Sequence, residues 1–366
     1  MALRTEELTF SLGPQHPSTH GVFRAMVTID GERVVHVDPV IGYLHRGTEK
    51  IAEWKTYPQI IPYTDRMDYL SAMLNNYCHV GAVEKLLGLE IPEHAEYIRI
   101  IVMELNRIAS HLVWWGTFLL DLGAMSPFLY AFKDRQVILD LLEEISGARL
   151  TYSYMRIGGV KRDATQEWLR RVDDFMDEMV KNIQGYNNLV TGNEIFQSRV
   201  KNVGVYDEAF AKRWGLSGAC LRCTGNSYDV RKSDPYSLYP KFDFEIPTRT
   251  SGDVWARYII RIEEMLQSIR IVKQAIRNLP DGPFMGKAPR NIRPPKGEVY
   301  FHIESPRGDM GCYIVSDGSD HPYRWHWRAP EFANLAAFPA ITEGVNIADM
   351  IAILGAIDIV LGGVDR

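Results

Sequence analysis

Apolar and polar residues alternate over 8–12, 22–29 and 33–41, the period of strands with one buried face. Asp30-Gly31 marks a turn between the second and third runs. The stretch Gly13-Pro-Gln-His-Pro-Ser-Thr-His-Gly21 separates the first from the second. Together they predict a small antiparallel sheet. From Arg66 the spacing becomes helical: Met67, Leu70, Leu74 and Tyr77 share one face, with Asp65 as N-cap and Asp68 at the third position. Ile98, Ile101, Leu105, Ile108, Leu112, Trp115, Leu119 and Leu122 then follow a three–four spacing. From Leu112 this run is apolar on nearly every side, which predicts a helix end buried all round.

Further helices are predicted at about 129–148, 164–190 and 345–361. Another begins after Gly252 with Asp253 as cap, runs through Trp255, Ile259, Ile262, Leu266, Ile269 and Ile276, and stops at Pro280-Asp-Gly282. Residues 281–296 read as a loop, and 298–303 with 312–315 as a hairpin closed by Pro306-Arg-Gly308. The fold class is therefore α+β: a helical body with small antiparallel sheets packed on it. Residues 1–60 form the N-terminal sheet and loop, 61–280 the helical body, and 281–366 the loop, hairpin and buried C-terminal helix of one integrated domain.

Composition narrows the function. The 366 residues are 46% hydrophobic, enough for a large core. A net charge of −5 without any basic run speaks against nucleic acid. The most apolar long window, Val345 to Val364, contains Asn346, Asp349 and Asp358. Each mid-helix Asp would cost roughly 2.5–3.5 kcal/mol in a bilayer, so a buried core helix is expected instead. The N-terminal residues lack the apolar stretch of a signal peptide.

Four cysteines are too few for a disulfide scaffold. Cys220-Leu-Arg-Cys223 has no second pair to complete a zinc or iron–sulfur site, and is expected to be structural. No dinucleotide-binding or P-loop motif occurs.

Candidate chemistry starts with the loop at 13–21. Its glycines and prolines fix a shape, and a shaped loop presenting imidazoles suits proton-coupled chemistry. Asp121 lies between Leu120 and Leu122 in the apolar run. It either pairs with a cation or hydrogen-bond donor, or caps the helix end facing solvent. Thr117 precedes it by four, on the same face. Tyr69 follows Arg66 by three, so both can line one helix face. Glu104, Arg107 and His111 read as an ion-paired face.

These residues, taken in order, resemble the 49 kDa (D-type) subunit family of the NADH–quinone oxidoreductases of respiratory complex I. The resemblance rests on the 13–21 loop, Gly42-Tyr-Leu-His-Arg-Gly-Thr-Glu-Lys50, Arg66-Met-Asp-Tyr69, Glu104-Leu-Asn-Arg-Ile-Ala-Ser-His111, Asp121-Leu-Gly-Ala124, Arg156-Ile-Gly-Gly-Val160, Asp229-Val-Arg-Lys232 and Gly363-Val-Asp-Arg366. That family is in turn similar to the large subunit of [NiFe] hydrogenases, whose metals sit on two CxxC motifs. Here Asp68 and Ser71 stand in the first pair of cysteine places, and Val360 and Gly363 in the second. Such residues cannot build a soft thiolate site, so no nickel–iron centre is expected.

The resemblance implies a quinone pocket in the former metal cavity. Tyr69 and His20 would hydrogen-bond the quinone carbonyls, with Asp121 as partner of His20 and His16 as loop structure. Asp68 and Val360 would line the cavity. Arg46 and Arg66 would lie near a [4Fe-4S] cluster held by a neighbouring subunit. The implied whole is a proton-pumping NADH:quinone oxidoreductase on the cytoplasmic side of a membrane, with the cluster-bearing B-type, the C-type and the membrane H-type subunits as partners. No NAD, flavin or metal is expected on this chain. Ferredoxin or another donor in a related complex is the alternative to NADH.

The chain departs from the family at three places. Thr151 replaces a histidine, the loop at Pro283–Pro295 is shorter, and Cys220 and Cys223 are extra.

Overall fold

The computed structural model describes residues 6–16 and 21–366. Three antiparallel strands, β1 (Glu7–Leu12), β2 (Arg24–Asp30) and β3 (Arg33–Val40), form the N-terminal sheet in that order. Leu12 faces Ala25, and an irregularity at Thr28/Ile29 shifts the β2–β3 register. Leu12, Ala25, Val27, Val34 and Val37 are buried, as a one-sided sheet requires. Phe23 seats the sheet on the C-terminal part of the chain, edge-on to Phe338 at 6.1 Å between ring centroids.

Two short helices follow, α1 (Thr48–Ala52) and α2 (Tyr57–Thr64). Thr56 and Gln59 form a capping box at the start of α2. Here the chain departs from its periodicity. Asp65 does not start a helix but follows the last turn of α2, where its buried carboxylate accepts hydrogen bonds from Ser153 N at 3.1 Å and Asn76 Nδ2 at 2.9 Å. Asp68 caps a short 3-10 turn, Tyr69–Ser71, by accepting from Leu70 N. Only then does α3 (Ala72–Leu87) begin. Buried donors distant in sequence claimed Asp65 in preference to a local cap.

The helix α4 (Glu93–Asp121) is the axis of the body: its 29 residues span about 44 Å. Helices α3, α5 (Met125–Ser146) and α7 (Val254–Arg277) pack against it, and α6 (Gln166–Tyr186) packs on α7. Asp253 caps α7 by accepting from Ala256 N, as its sequence predicts. Trp114, Trp115, Phe118 and Leu119 of α4 are buried, but Leu120 is 40% exposed. The far end of α4 is therefore not enclosed on all sides.

The last sheet has three strands: β4 (Gly297–Ser305), β5 (Gly308–Ser316) and β6 (Arg324–Arg328). The hairpin is longer than the sequence suggested, and β6 was not anticipated. Its alternation, with Trp325 and Trp327 buried between Arg324, His326 and Arg328, is the signal of a half-buried strand. The short helix α8 (Pro330–Ala336) follows. The apolar C-terminal stretch is a buried helix, α9 (Ile347–Ile357), rather than one unbroken element. It breaks at Asp358, whose φ of 61° is left-handed, and resumes as α10 (Leu361–Asp365). Among the described residues, no helix is long and apolar enough to cross a membrane.

Candidate functional site

The two segments expected to correspond to the hydrogenase cysteine motifs, 66–71 and 358–363, meet in the core. An ideal Cβ on Gly362 would lie 2.3 Å from Met67 O, so the backbones are packed directly on each other. Between them sits Arg307, from the turn joining β4 and β5, and it is fully buried. Its Nη1 donates to Asp68 Oδ2 at 2.7 Å, Ser110 Oγ at 3.0 Å and Ser71 Oγ at 3.3 Å. Its Nη2 donates to Asp358 Oδ1 at 3.1 Å, and its Nε to Asp358 O at 3.1 Å. A guanidinium thus joins the two segments through hard oxygen acceptors.

The C-terminal carbonyls of α9 are satisfied at the same place. Trp114 Nε1 donates to Gly355 O at 2.8 Å and Arg261 Nη1 to Ala356 O at 2.9 Å. Cations at a helix C-terminus complement its dipole. Trp114 and Arg261 hold residues 355–358 in one geometry, with Gly355 toward Asp121 and Asp358 on Arg307.

Tyr69 is half-buried beside this cluster, and its hydroxyl has no hydrogen-bond partner among the described residues. Burial first, then the neighbouring Asp68 charge, push its pKa up, with Arg307 opposing. It remains a neutral donor at physiological pH. Asp68 and Val360 are buried, Asp68 on Arg307 and Val360 at the head of α10. Asp121 is half-buried at the end of α4, with Oδ2 close to Gly355, and is not left without a partner. Thr117 donates its hydroxyl to Val113 O at 2.9 Å, its own helix backbone, rather than to Asp121. His20 lies outside the described residues.

Arg46 and Arg66 come together. Arg46 Nη2 donates to Arg66 O, and Arg66 Nη1 to Pro62 O, each at 2.6 Å. Both are exposed, and neither has a carboxylate within ion-pair distance among the described residues. The loop carrying Arg46 is pinned by the C-terminus. Asp365 accepts from Gly42 N at 2.8 Å and Leu44 N at 2.7 Å, and Arg366 pairs with Glu49 at 3.4 Å.

The sequence did not single out Arg307 or Glu331. Pro306-Arg-Gly308 signals a turn, and nothing local says that its arginine points inward. Glu331 follows Pro330 at the start of α8, an ordinary place for an exposed acid, yet it is buried. Burial first and then the Asp68 charge push its carboxyl up to about 8, against the pull of Arg307. Glu104 and Arg107 form the ion pair that the sequence suggests, and with His111 they belong to a buried ionic network with Arg222, Arg231 and Glu264. All four cysteines are free and buried, and Cys223 Sγ lies 3.3 Å from Cys220 O. No group of three or more His, Cys, Asp or Glu side chains among the described residues is arranged to hold a metal.

The fold and site define a mainly helical α+β protein in which a buried arginine held between two aspartates lies close to a surface whose cations, Arg46 and Arg66, have no ion-pair partner among the described residues. The chain belongs to the family described as the 49 kDa subunit of respiratory-chain NADH dehydrogenase, whose model matches residues 121–294 and 288–366. Among its relatives, the NADH-quinone oxidoreductase D-type subunit of Geobacillus kaustophilus (strain HTA426) is 59% identical over 366 residues, all of both chains. The corresponding subunit of Bacillus cereus (strain ATCC 10987) is 58% identical over 364 residues, 99% of this chain and 100% of the relative. That of Bacillus mycoides (strain KBAB4) is 57% identical over the same span.

Proposed function

We propose that this chain works within an NADH:quinone oxidoreductase and forms its quinone-reduction pocket, beside the terminal [4Fe-4S] cluster of a neighbouring subunit. The observation that carries this reading is the meeting of segments 66–71 and 358–363 around Arg307, with the Tyr69 hydroxyl left available at its edge. Reduction to quinol adds two electrons and two protons, and negative charge develops on the carbonyl oxygens. A neutral phenol held in place can donate to such an oxygen. His20 would donate at the opposite carbonyl, with Asp121 holding its imidazole charged and oriented.

Arg46 and Arg66 give the cluster-bearing B-type partner a positive surface next to the pocket. Partners of the C and H types and the membrane complete the surroundings, with the chain as a peripheral component on the cytoplasmic face and with quinone reduction coupled to proton pumping.

The test is Tyr69→Phe in the assembled complex. Quinone reduction should fall about 10²–10³-fold, the effect of losing one donor to a developing oxyanion, while assembly persists. Full activity in that variant would reject the assigned role.

A further inference from the structure

Three buried carboxyls, those of Asp68, Asp358 and Glu331, surround the buried Arg307 closely enough to act on its charge. Asp68 and Asp358 take its guanidinium, at 2.7 and 3.1 Å. Arg261 approaches Asp358 at 3.9 Å. Glu331 has no cation within ion-pair distance among the described residues. Its carboxyl lies directly over the Cα of Gly363: an ideal Cβ there would be 1.5 Å from Oε1 and 2.6 Å from Cδ. Glu331 therefore fills the space that a side chain at position 363 would need. The other acids near α8 face elsewhere. Asp365 accepts from the 42–44 backbone, and Asp309 meets His302 at 2.9 Å.

Resting on the quinone reading above, we propose that Glu331 is a proton-carrying carboxyl of the pocket that recharges Tyr69 during quinol formation. Glu331 and Tyr69 both lie near enough to the Arg307 guanidinium to act on its charge, and the Gly362 backbone lies on Arg66 and Met67, next to Asp68 and Tyr69. An acid without an ion-pair partner in a buried site holds a proton more cheaply than a charge. Arg307 can take up the carboxylate once that proton has left.

The quinone receives two electrons, one at a time, from a reduced iron–sulfur cluster. One new O–H bond forms on the quinone oxygen as the Tyr69 O–H bond breaks. The phenolate is then reprotonated through water with the proton that Glu331 gives up, and the Glu331 carboxylate is reprotonated from solvent. The second proton enters at the opposite carbonyl.

The experiment uses the whole complex and compares wild type, Glu331→Gln and Glu331→Asp. Glutamine keeps the shape of the neutral acid, so the buried site should pack as before and the complex assemble. Quinone reduction should fall at least about tenfold in Glu331→Gln, since a positioned acid contributes 10²–10⁴-fold. Glu331→Asp should recover part of that loss. NADH oxidation by a hydrophilic one-electron acceptor upstream should not change. The wild-type rate should decline as pH rises through about 8, where the acid loses its proton, and Glu331→Gln should lack this limb.

Wild-type rate and an unchanged pH profile in Glu331→Gln would overturn the proposal. So would a wild-type profile that stays flat from neutral pH to about 9, whether or not the variants assemble. An inactive Tyr69→Phe beside a normal Glu331→Gln would reject the inference alone. An active Tyr69→Phe would reject the quinone reading beneath it.

Discussion

Glu104 carries a charge at the centre of the molecule because cations surround it. Burial opposes the carboxylate, but Arg107 at 3.0 Å, Arg231 at 3.5 Å and hydroxyl donors from Ser268 and Tyr239 more than offset that cost. Together they lower its pKa from the ordinary 4.5 to about 2. A carboxyl depressed in the folded state adds stability above its unfolded pKa and loses it as pH falls through the folded value. Glu104→Gln should therefore destabilise the fold at neutral pH by about 3–5 kcal/mol, the usual result of breaking a buried pair. The difference between variant and wild type should shrink as pH drops from about 4.5 toward 2, read by denaturant unfolding at several pH values. Glu304, in the same network, goes the other way. Burial and the nearby Asp229 charge raise its pKa to about 7, and Arg222 at 2.7 Å, which Glu264 and Asp229 share, offsets them only in part. The sequence shows the charges, but which acid keeps its proton depends on neighbours up to about two hundred residues away.

Among the elements, α3 and the last sheet meet closely enough to depend on one missing side chain. An ideal Cβ on Gly81 would fall 2.5 Å from the Phe301 ring on β4. Gly81→Ala must push that ring away, and overpacking of this kind costs about 1–3 kcal/mol. A thermal melt should show the loss, and Phe301→Leu in the same chain should restore part of it. A glycine within a helical pattern reads from sequence only as a weak point, and it takes the partner strand to show that it is a contact. The elements themselves were largely legible. Strand alternation and three–four spacing marked β1–β3, α4, α5, α6, α7 and the β4–β5 hairpin within a few residues. The errors cluster where a tertiary bond overrode a local one: Asp65 turned to Ser153, and Asp358 bent the C-terminal helix so that its carboxylate could reach Arg307.

Across the whole molecule, the arginines divide by environment. Arg99, Arg107, Arg222, Arg231 and Arg307 are buried and matched to carboxylates. Arg46 and Arg66 are exposed together on backbone oxygens alone. A positive surface of this kind favours a partner that gains negative charge when reduced. With a partner's iron–sulfur cluster at the proposed place beside this surface, Arg66→Ala should make its midpoint potential more negative, because the reduced form loses a favourable charge. A redox titration of the assembled complex followed by electron paramagnetic resonance reads that shift. An unchanged potential would mean that Arg66 serves only the Pro62 carbonyl.

By itself the sequence determined the α+β class, the position of the long core helix, the absence of cysteines from segments 66–71 and 358–363, and the candidates Tyr69, Asp121, Arg46 and Arg66. Those follow from local periodicity, from residue chemistry and from motif order along the chain. Only the tertiary structure decided that Arg307 joins Asp68 to Asp358 and that the Glu331 carboxyl stands over Gly363. It alone also showed that the C-terminal Asp365 holds the loop of Arg46. The physical reason is that each is a pairing of buried polar groups far apart in sequence. Burial makes such pairing obligatory, and only the packing of distant elements selects the partner.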